Sequence, residues 1–83
     1  MKKIIIYKAP NCPYCVQAAA LLKSKGLAFQ EIDISSSDTL RDEMIQKTQR
    51  RTVPQIFIGD YHVGGYSDLA QLESKGQLDP LLK

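Results

Sequence analysis

The sequence predicts an α/β fold in which helices flank a four-stranded mixed sheet. Residues 3–48 alternate strand, helix, strand and helix patterns, which is typical of a right-handed βαβ unit with a parallel strand pair. After Pro54, two short strands joined by Gly59-Asp60 precede a last helix, which predicts a ββα unit. The chain of 83 residues is expected to form one domain, residues 1–83, since domains usually run from about 50 to 250 residues.

The first strand and helix have clear boundaries. Lys3 to Tyr7 is a short run rich in β-branched apolar residues, as expected for a strand buried on both faces. A helix begins at Pro13, because proline at the first helical position has no N–H bond to lose, and Gly26 is a suitable stop. Its buried face has the spacing i, i+3, i+4 and i+7 and consists of Cys15, Ala18, Ala19 and Leu22.

The remaining elements follow from weaker patterns. Leu27 to Ile34 alternates with a period of two and predicts a second strand, and Ser35 to Asp38 offers several N-caps for a second helix. The hairpin covers residues 55–65, and the last helix is expected from about Ser67 to near Gly76, with a terminal turn in "LDPLLK". Together these elements describe a thioredoxin-like arrangement.

Composition excludes several classes of protein. The apolar fraction of 43% and the charged fraction of 24% are ordinary for a soluble protein. No apolar run approaches the roughly 20 residues of a membrane span, and the apolar run after the two N-terminal lysines is too short for a signal peptide. The net charge of +2 is dispersed and forms no basic face for nucleic acid. We expect a cytoplasmic monomer that binds neither nucleic acid nor membrane.

Both cysteines of the chain lie within four residues, as Cys12 and Cys15 in "PNCPYCV". Residues three apart on a helix have Cβ atoms about 5–6 Å apart, close to disulfide geometry. The pair can therefore open and close a bond without moving the fold. The closed ring is so short that its entropic contribution to stability is small. This placement favours a redox role for the cysteine pair over a role in stabilising the fold.

The two thiols are expected to have different roles. Cys12 precedes the helix, where the helix dipole and the N–H groups of the first turn favour negative charge. In Cys-x-x-Cys sites this lowers the thiol pKa from about 8.5 to between roughly 3.5 and 7.5. We therefore assign Cys12 as the nucleophile and the inward-facing Cys15 as the resolving thiol. Pro13 sets the helix start, and Tyr14 lies beside the nucleophile.

A zinc site is the alternative interpretation of a Cys-x-x-Cys motif. Structural zinc takes four ligands, and His62 is the one histidine of the chain. A complete site within one chain is therefore not expected, and His62 is interpreted as a solvent-facing strand residue. We predict no metal site and no bound cofactor.

The motif and its context resemble the dithiol glutaredoxins. Cys12-Pro13-Tyr14-Cys15 is similar to their active site, and the similarity extends over essentially the whole chain. It includes three further segments at the intervals found in small bacterial glutaredoxins: "TVPQIFI" (Thr52 to Ile58), Gly64-Gly65 and Ser67-Asp68.

The resemblance implies a glutathione site. In the family the proline that corresponds to Pro54 is cis, and Val53 would pair its backbone N–H and C=O with the cysteine of glutathione. Thr52, Gly65 and Tyr14 would complete the contact surface. The start of the last helix, at Ser67 and Asp68, would hold the γ-glutamyl end, although either residue could instead be a helix cap. Pro54 could likewise be only a strand-start proline.

One position departs from the family pattern. Family members commonly have a lysine three residues before the first cysteine, near the glycyl carboxylate, and here that residue is Ala9. Lys8 is one residue away, and a shift of one residue in a strand reverses the side-chain direction. Arg50 or Arg51 could take over the carboxylate or could be solvated charges at a helix end.

The resemblance implies a glutathione-dependent thiol–disulfide oxidoreductase. Its partners would be glutathione, as the electron-donating co-substrate, and proteins that carry glutathione mixed disulfides or disulfide bonds. Two alternatives remain. An iron–sulfur carrier would bridge a cluster between two chains, but such relatives usually have Gly or Ser where this chain has Pro13. A donor fed by thioredoxin reductase would have a different residue pair between the cysteines and a different segment before the last helix.

Overall fold

The computed structural model describes residues 2–83. Four strands form one sheet: β1 (Ile4–Lys8), β2 (Gln30–Asp33), β3 (Gln55–Ile58) and β4 (Tyr61–Gly64). Their order is β2-β1-β3-β4, in which β1 pairs with β2 in parallel and the other two pairs are antiparallel. The predicted four-stranded mixed sheet is confirmed.

Helices cover both faces of the sheet. They are α1 (Pro13–Ser24), α2 (Asp38–Thr48), α3 (Tyr66–Ser74) and the short α4 (Leu78–Leu82), with a 3₁₀ turn at Ile34–Ser36. The predicted terminal turn is thus a helix of 5 residues. No helix in residues 2–83 is long and apolar enough to cross a membrane.

Alternation along β1 divides the core into two layers. Ile4 and Ile6 are buried in a cluster with residues of α1, α3 and α4, and Tyr7 is buried in a second cluster with Met44 of α2. This follows from the two-residue period of a strand, which places neighbours on opposite faces. Burial on both faces makes β1 a rigid base for the loop that follows it, residues 9–12.

The second strand is shorter than its alternation predicts. Pairing with β1 covers only residues 30–33, starting at Gln30 opposite Ile5. Leu27 and Phe29 are half-buried and pack against the core cluster of α1 and α3. The pattern therefore indicated packing rather than strand pairing at these positions. Ser37 occupies the N-cap of α2 without a side-chain cap bond, and α3 begins one residue earlier than expected, at Tyr66.

Candidate active site

The cysteine pair lies at the N-terminus of α1, where the chain leaves β1. Asn11 has a positive φ of 59°, which turns the loop, and Cys12 occupies the N-cap directly before Pro13. The sulfur of Cys12 accepts a hydrogen bond from the backbone N–H of Cys15 at 3.2 Å. It therefore fills the cap position that a serine or aspartate oxygen usually occupies. This contact is the local basis for stabilising a negative charge on Cys12.

Cys12 and Cys15 are bonded to each other, with their Cα atoms 5.2 Å apart. Cys12 is half-buried, whereas Cys15, in the first turn of the helix, is buried at 6% exposure. An attacking group from solvent thus reaches Cys12 more readily than Cys15. This difference agrees with the assignment of Cys12 as nucleophile and Cys15 as resolving thiol.

The segment before β3 lies against the cysteines. The sulfur of Cys12 is 3.7 Å from the carbonyl oxygen of Val53. The Val53–Pro54 peptide bond is cis, as the resemblance implied. Pro54 is buried, Val53 is half-buried and Thr52 is exposed. The backbone of Val53 is therefore next to the reactive sulfur.

The N-terminus of α3 lies beside the same segment. Gly65 is the N-cap of α3, and a Cβ atom added there would lie 3.7 Å from the carbonyl oxygen of Pro54. The Asp68 carboxylate accepts a hydrogen bond from the backbone N–H of Gly65 at 3.0 Å. Ser67 is exposed. Asp68 is therefore a cap of α3, and its side chain remains 45% exposed.

The three basic candidates differ in their surroundings. The ammonium of Lys8 forms an ion pair with Glu31, and this hydrogen bond raises the pKa of Lys8. Lys8 also lines a cleft of about 700 Å³ that includes Cys12. The Arg50 guanidinium lies 3.7 Å from the Asp68 carboxylate, and Arg51 is exposed. Arg50 is thus the candidate that contacts another predicted site residue, whereas Lys8 contacts a residue outside the predicted set.

An aromatic pair flanks the cysteines, and one member was not predicted. Tyr14 is 61% exposed, and its ring stacks on that of Tyr66 with centroids 6.2 Å apart and an angle of 23° between the planes. Tyr66 is the first residue of α3 and directly follows Gly65. The sequence signal that could have indicated Tyr66 as a site residue is its position directly after Gly64-Gly65. The pair joins the N-termini of α1 and α3 at the surface.

The prediction of a solvent-facing His62 is wrong. Its ring is half-buried, stacks on Phe57 with centroids 5.0 Å apart, and lies 2.7 Å from the side-chain oxygen of Gln55. Burial, and secondly the positive charge of Arg50, lower the pKa of His62 from its ordinary 6.5, while Asp68 opposes the shift. His62 is therefore mainly uncharged at neutral pH. Within residues 2–83, no group of three or more His, Cys, Asp or Glu side chains is arranged to hold a metal ion.

Comparison with known proteins identifies the family. The glutaredoxin family model matches residues 4–63. The chain belongs to the glutaredoxin family. It is 52% identical over 83 residues to glutaredoxin 3 of Escherichia coli strain K12, covering 100% of both chains.

Two solved glutaredoxin structures resemble the fold closely. The solution structure of glutaredoxin from Brucella melitensis has a TM-score of 0.88 and 55% identity, and the match covers 100% of this chain and 90% of that one. The crystal structure of the buckwheat glutaredoxin–glutathione complex has a TM-score of 0.89 and 28% identity, with coverage of 98% and 76%. The fold is therefore the thioredoxin-like fold of glutaredoxins, with the cysteine pair close together as in a dithiol site.

Proposed function

We propose that the protein is a glutathione-dependent thiol–disulfide oxidoreductase that acts on glutathione mixed disulfides and protein disulfides. The observation that carries this proposal is the position of the Cys12 sulfur. It accepts the Cys15 N–H at the helix N-terminus, lies 3.7 Å from the Val53 carbonyl, and is bonded to Cys15. Family membership supports the same chemistry. We propose that the chain acts in the cytoplasm as a monomer consisting of one domain, residues 1–83.

Deglutathionylation needs only Cys12. Its thiolate attacks the glutathionyl sulfur of the substrate, a Cys12–glutathione disulfide forms, and the substrate leaves as a thiolate that takes a proton from water. A second glutathione thiolate then attacks the glutathionyl sulfur. This releases the Cys12 thiolate and glutathione disulfide, which a separate reductase returns to glutathione. Helix N–H groups stabilise the Cys12 thiolate both as attacking and as leaving group.

Reduction of a protein disulfide uses both thiols. Cys12 attacks one sulfur of the disulfide and releases the other as a thiol, which leaves the protein attached to Cys12. Cys15 then attacks the Cys12 sulfur, releases the protein and forms the Cys12–Cys15 disulfide present in this structure. Two glutathione molecules reduce that bond by the same exchange chemistry.

Glutathione would lie across the surface between Val53 and Asp68. Val53 would pair its backbone with the glutathione cysteine, and Asp68 would bind the γ-glutamyl ammonium. Lys8, Arg50 and Arg51 would be the candidates for the glycyl carboxylate: Lys8 and Arg50 each already pair with a carboxylate, Glu31 and Asp68, and Arg51 is exposed. The glutathione complex of the buckwheat relative supports the use of this ligand.

Turnover of a small glutathione mixed disulfide tests the proposed function. The assay couples release of glutathione disulfide to NADPH consumption by glutathione reductase. We expect catalysis well above the uncatalysed exchange rate, with saturation in the mixed disulfide. Turnover no faster than the uncatalysed reaction would contradict the proposal.

The cap geometry predicts an acidic Cys12 thiol. In Cys15→Ser, where the disulfide cannot form, we expect the pKa of Cys12 to lie well below the ordinary value of about 8.5 for a thiol. The cause is the backbone N–H of residue 15, which the variant keeps and which donates to the Cys12 sulfur at the helix N-terminus. Titration of thiolate absorbance measures this directly. A midpoint near 8.5 would refute the assignment.

Substitution of Asp68 separates its binding and capping roles. Asp68→Ala should raise KM for glutathione substrates about two- to fivefold, because a half-exposed charge pair contributes about 0.5–1 kcal/mol. Asp68→Asn is the matched control, since its amide oxygen can still accept the Gly65 N–H while the charge is lost. We expect both variants to raise KM and only Asp68→Ala to lower the melting temperature. Unchanged KM in both variants would leave Asp68 with the capping role alone.

A further inference from the structure

Gln55 is a buried polar residue directly after the cis proline. It is 1% exposed at the start of β3. Its amide nitrogen donates to the Thr52 carbonyl oxygen at 3.1 Å and contacts the Thr52 hydroxyl at 3.2 Å. A buried polar group of this kind is costly unless its hydrogen bonds are made, so its orientation is strongly determined. Gln55 therefore holds the Thr52 backbone in place.

His62 completes the orientation of Gln55. A carbonyl oxygen only accepts, so the Gln55 atom that faces the Thr52 carbonyl must be the NH₂ group. The other atom is then Oε1, also an acceptor, and it lies 2.7 Å from Nε2 of His62. The proton must consequently be on Nε2 of His62. Stacking on Phe57 at 5.0 Å holds the ring in position for this donation.

The hydrogen bond at Thr52 also orients its neighbour. The carbonyl of Thr52 and the N–H of Val53 belong to one planar peptide unit, which is trans, so they point in opposite directions. Fixing the carbonyl toward Gln55 fixes the N–H of Val53 away from it. This N–H is the donor that the proposed function assigns to glutathione.

We propose that Gln55 and His62 are positioning residues that orient the Val53 N–H for the bound glutathionyl group. The inference rests on the proposed function. A donor held in its binding orientation loses less entropy when the ligand binds. Because the contact would be made equally in the ground state and the transition state, its loss should appear in KM rather than kcat. Neither residue needs to touch the ligand.

Two substitutions of His62 separate positioning from stability. His62→Phe keeps a ring that can stack on Phe57 but removes the donor to Gln55. His62→Gln loses the ring, yet its amide nitrogen reaches about the same position and can donate to Gln55. We expect His62→Phe to raise KM for a glutathionylated peptide about three- to tenfold with kcat near wild type, and to lower the melting temperature because the buried Oε1 of Gln55 loses its donor. We expect His62→Gln to keep KM within twofold while its melting temperature falls.

Gln55→Met removes the central amide and keeps a similar length. We expect a KM rise of about tenfold with little change in kcat. The control is Gln46→Met, which makes the same change on an exposed position of α2. If Gln55→Met does not fold, the two His62 variants decide alone, since His62 is only half-buried.

The results distinguish this inference from the proposed function. If the wild-type protein does not turn over the glutathionylated peptide, the proposed function fails. If the wild type is active and KM follows melting temperature rather than the presence of a donor at position 62, the positioning role is overturned. Wild-type KM in His62→Phe would overturn it equally.

Discussion

Replacement of Cys12 by serine is expected to abolish both deglutathionylation and protein disulfide reduction. Both reactions begin with attack by the Cys12 thiolate, the half-buried sulfur at the helix N-terminus. Cys15 cannot replace it, because its side chain is buried at 6% exposure on the inner face of α1. A serine hydroxyl has no comparable nucleophilicity toward a disulfide. We expect the rate of both reactions to fall by a factor on the order of 1,000 or more, as is usual when an activated nucleophile is removed.

Replacement of Cys15 by serine has a different expected result. The Cys12 attacker and the surface of Val53 and Asp68 remain, so deglutathionylation should be kept or become faster, since the Cys12–Cys15 disulfide can no longer form. Reduction of protein disulfides that need Cys15 to release the trapped partner should be lost. Parallel assays with a glutathionylated peptide and a protein disulfide measure this difference. Loss of the first activity in Cys15→Ser with retention in Cys12→Ser would reverse the two assignments.

Replacement of Gly64 by alanine is expected to damage both stability and glutathione binding. Gly64 has φ of 115°, a region that side chains avoid, and a Cβ there would overlap the Asp68 carboxylate. The backbone strain costs about 1–3 kcal/mol. Displacing Asp68 from the Gly65 N–H adds about 0.5–2 kcal/mol for the lost cap. Denaturant unfolding should show a loss of unfolding free energy equal to the sum of these two costs. KM for glutathione substrates should rise further than in Asp68→Ala.

Gly76→Ala is the matched control for this substitution. Gly76 also has a positive φ, 68°, but no heavy atom lies within 4 Å of the Cβ that alanine would add. It follows α3 at the end opposite the candidate site. We expect a smaller loss of stability, about 1–2 kcal/mol for placing a residue with a Cβ in the left-handed region, and unchanged KM. A Gly64→Ala variant with normal KM would show that the position of Asp68 is unimportant for substrate binding.

The topology could be predicted because local patterns and long-range packing agree in the first half of the chain. The residues of β1 are apolar on both faces, and Pro13 and Gly26 mark the helix that must cross over to a parallel partner. The extent of β2 could not be predicted, because Leu27 and Phe29 continue the alternation while they pack against α1 and α3. Periodicity reports burial, and burial alone does not distinguish pairing from packing.

The part of the candidate site that depends only on residues adjacent in sequence could be predicted. Cys12, Pro13 and Cys15 define the helix N-terminus by themselves, and the structure confirms that geometry. The environment of His62 could not be predicted, because it depends on a register shift in the β3–β4 pairing next to Phe57. The Tyr14–Tyr66 pair likewise joins two helices distant in sequence. Such contacts require tertiary structure.

Mass spectrometry of trapped Cys15→Ser tests most directly whether Cys12 carries the glutathionyl group during turnover. The variant is mixed with a limiting amount of glutathionylated peptide without added glutathione, quenched in acid and digested. We expect one glutathionyl group on the fragment that contains Cys12, together with an equal amount of released peptide thiol. Peptide attached to Cys12, with glutathione released instead, would contradict this assignment, because the surface between Val53 and Asp68 would then not hold the glutathionyl half of the mixed disulfide.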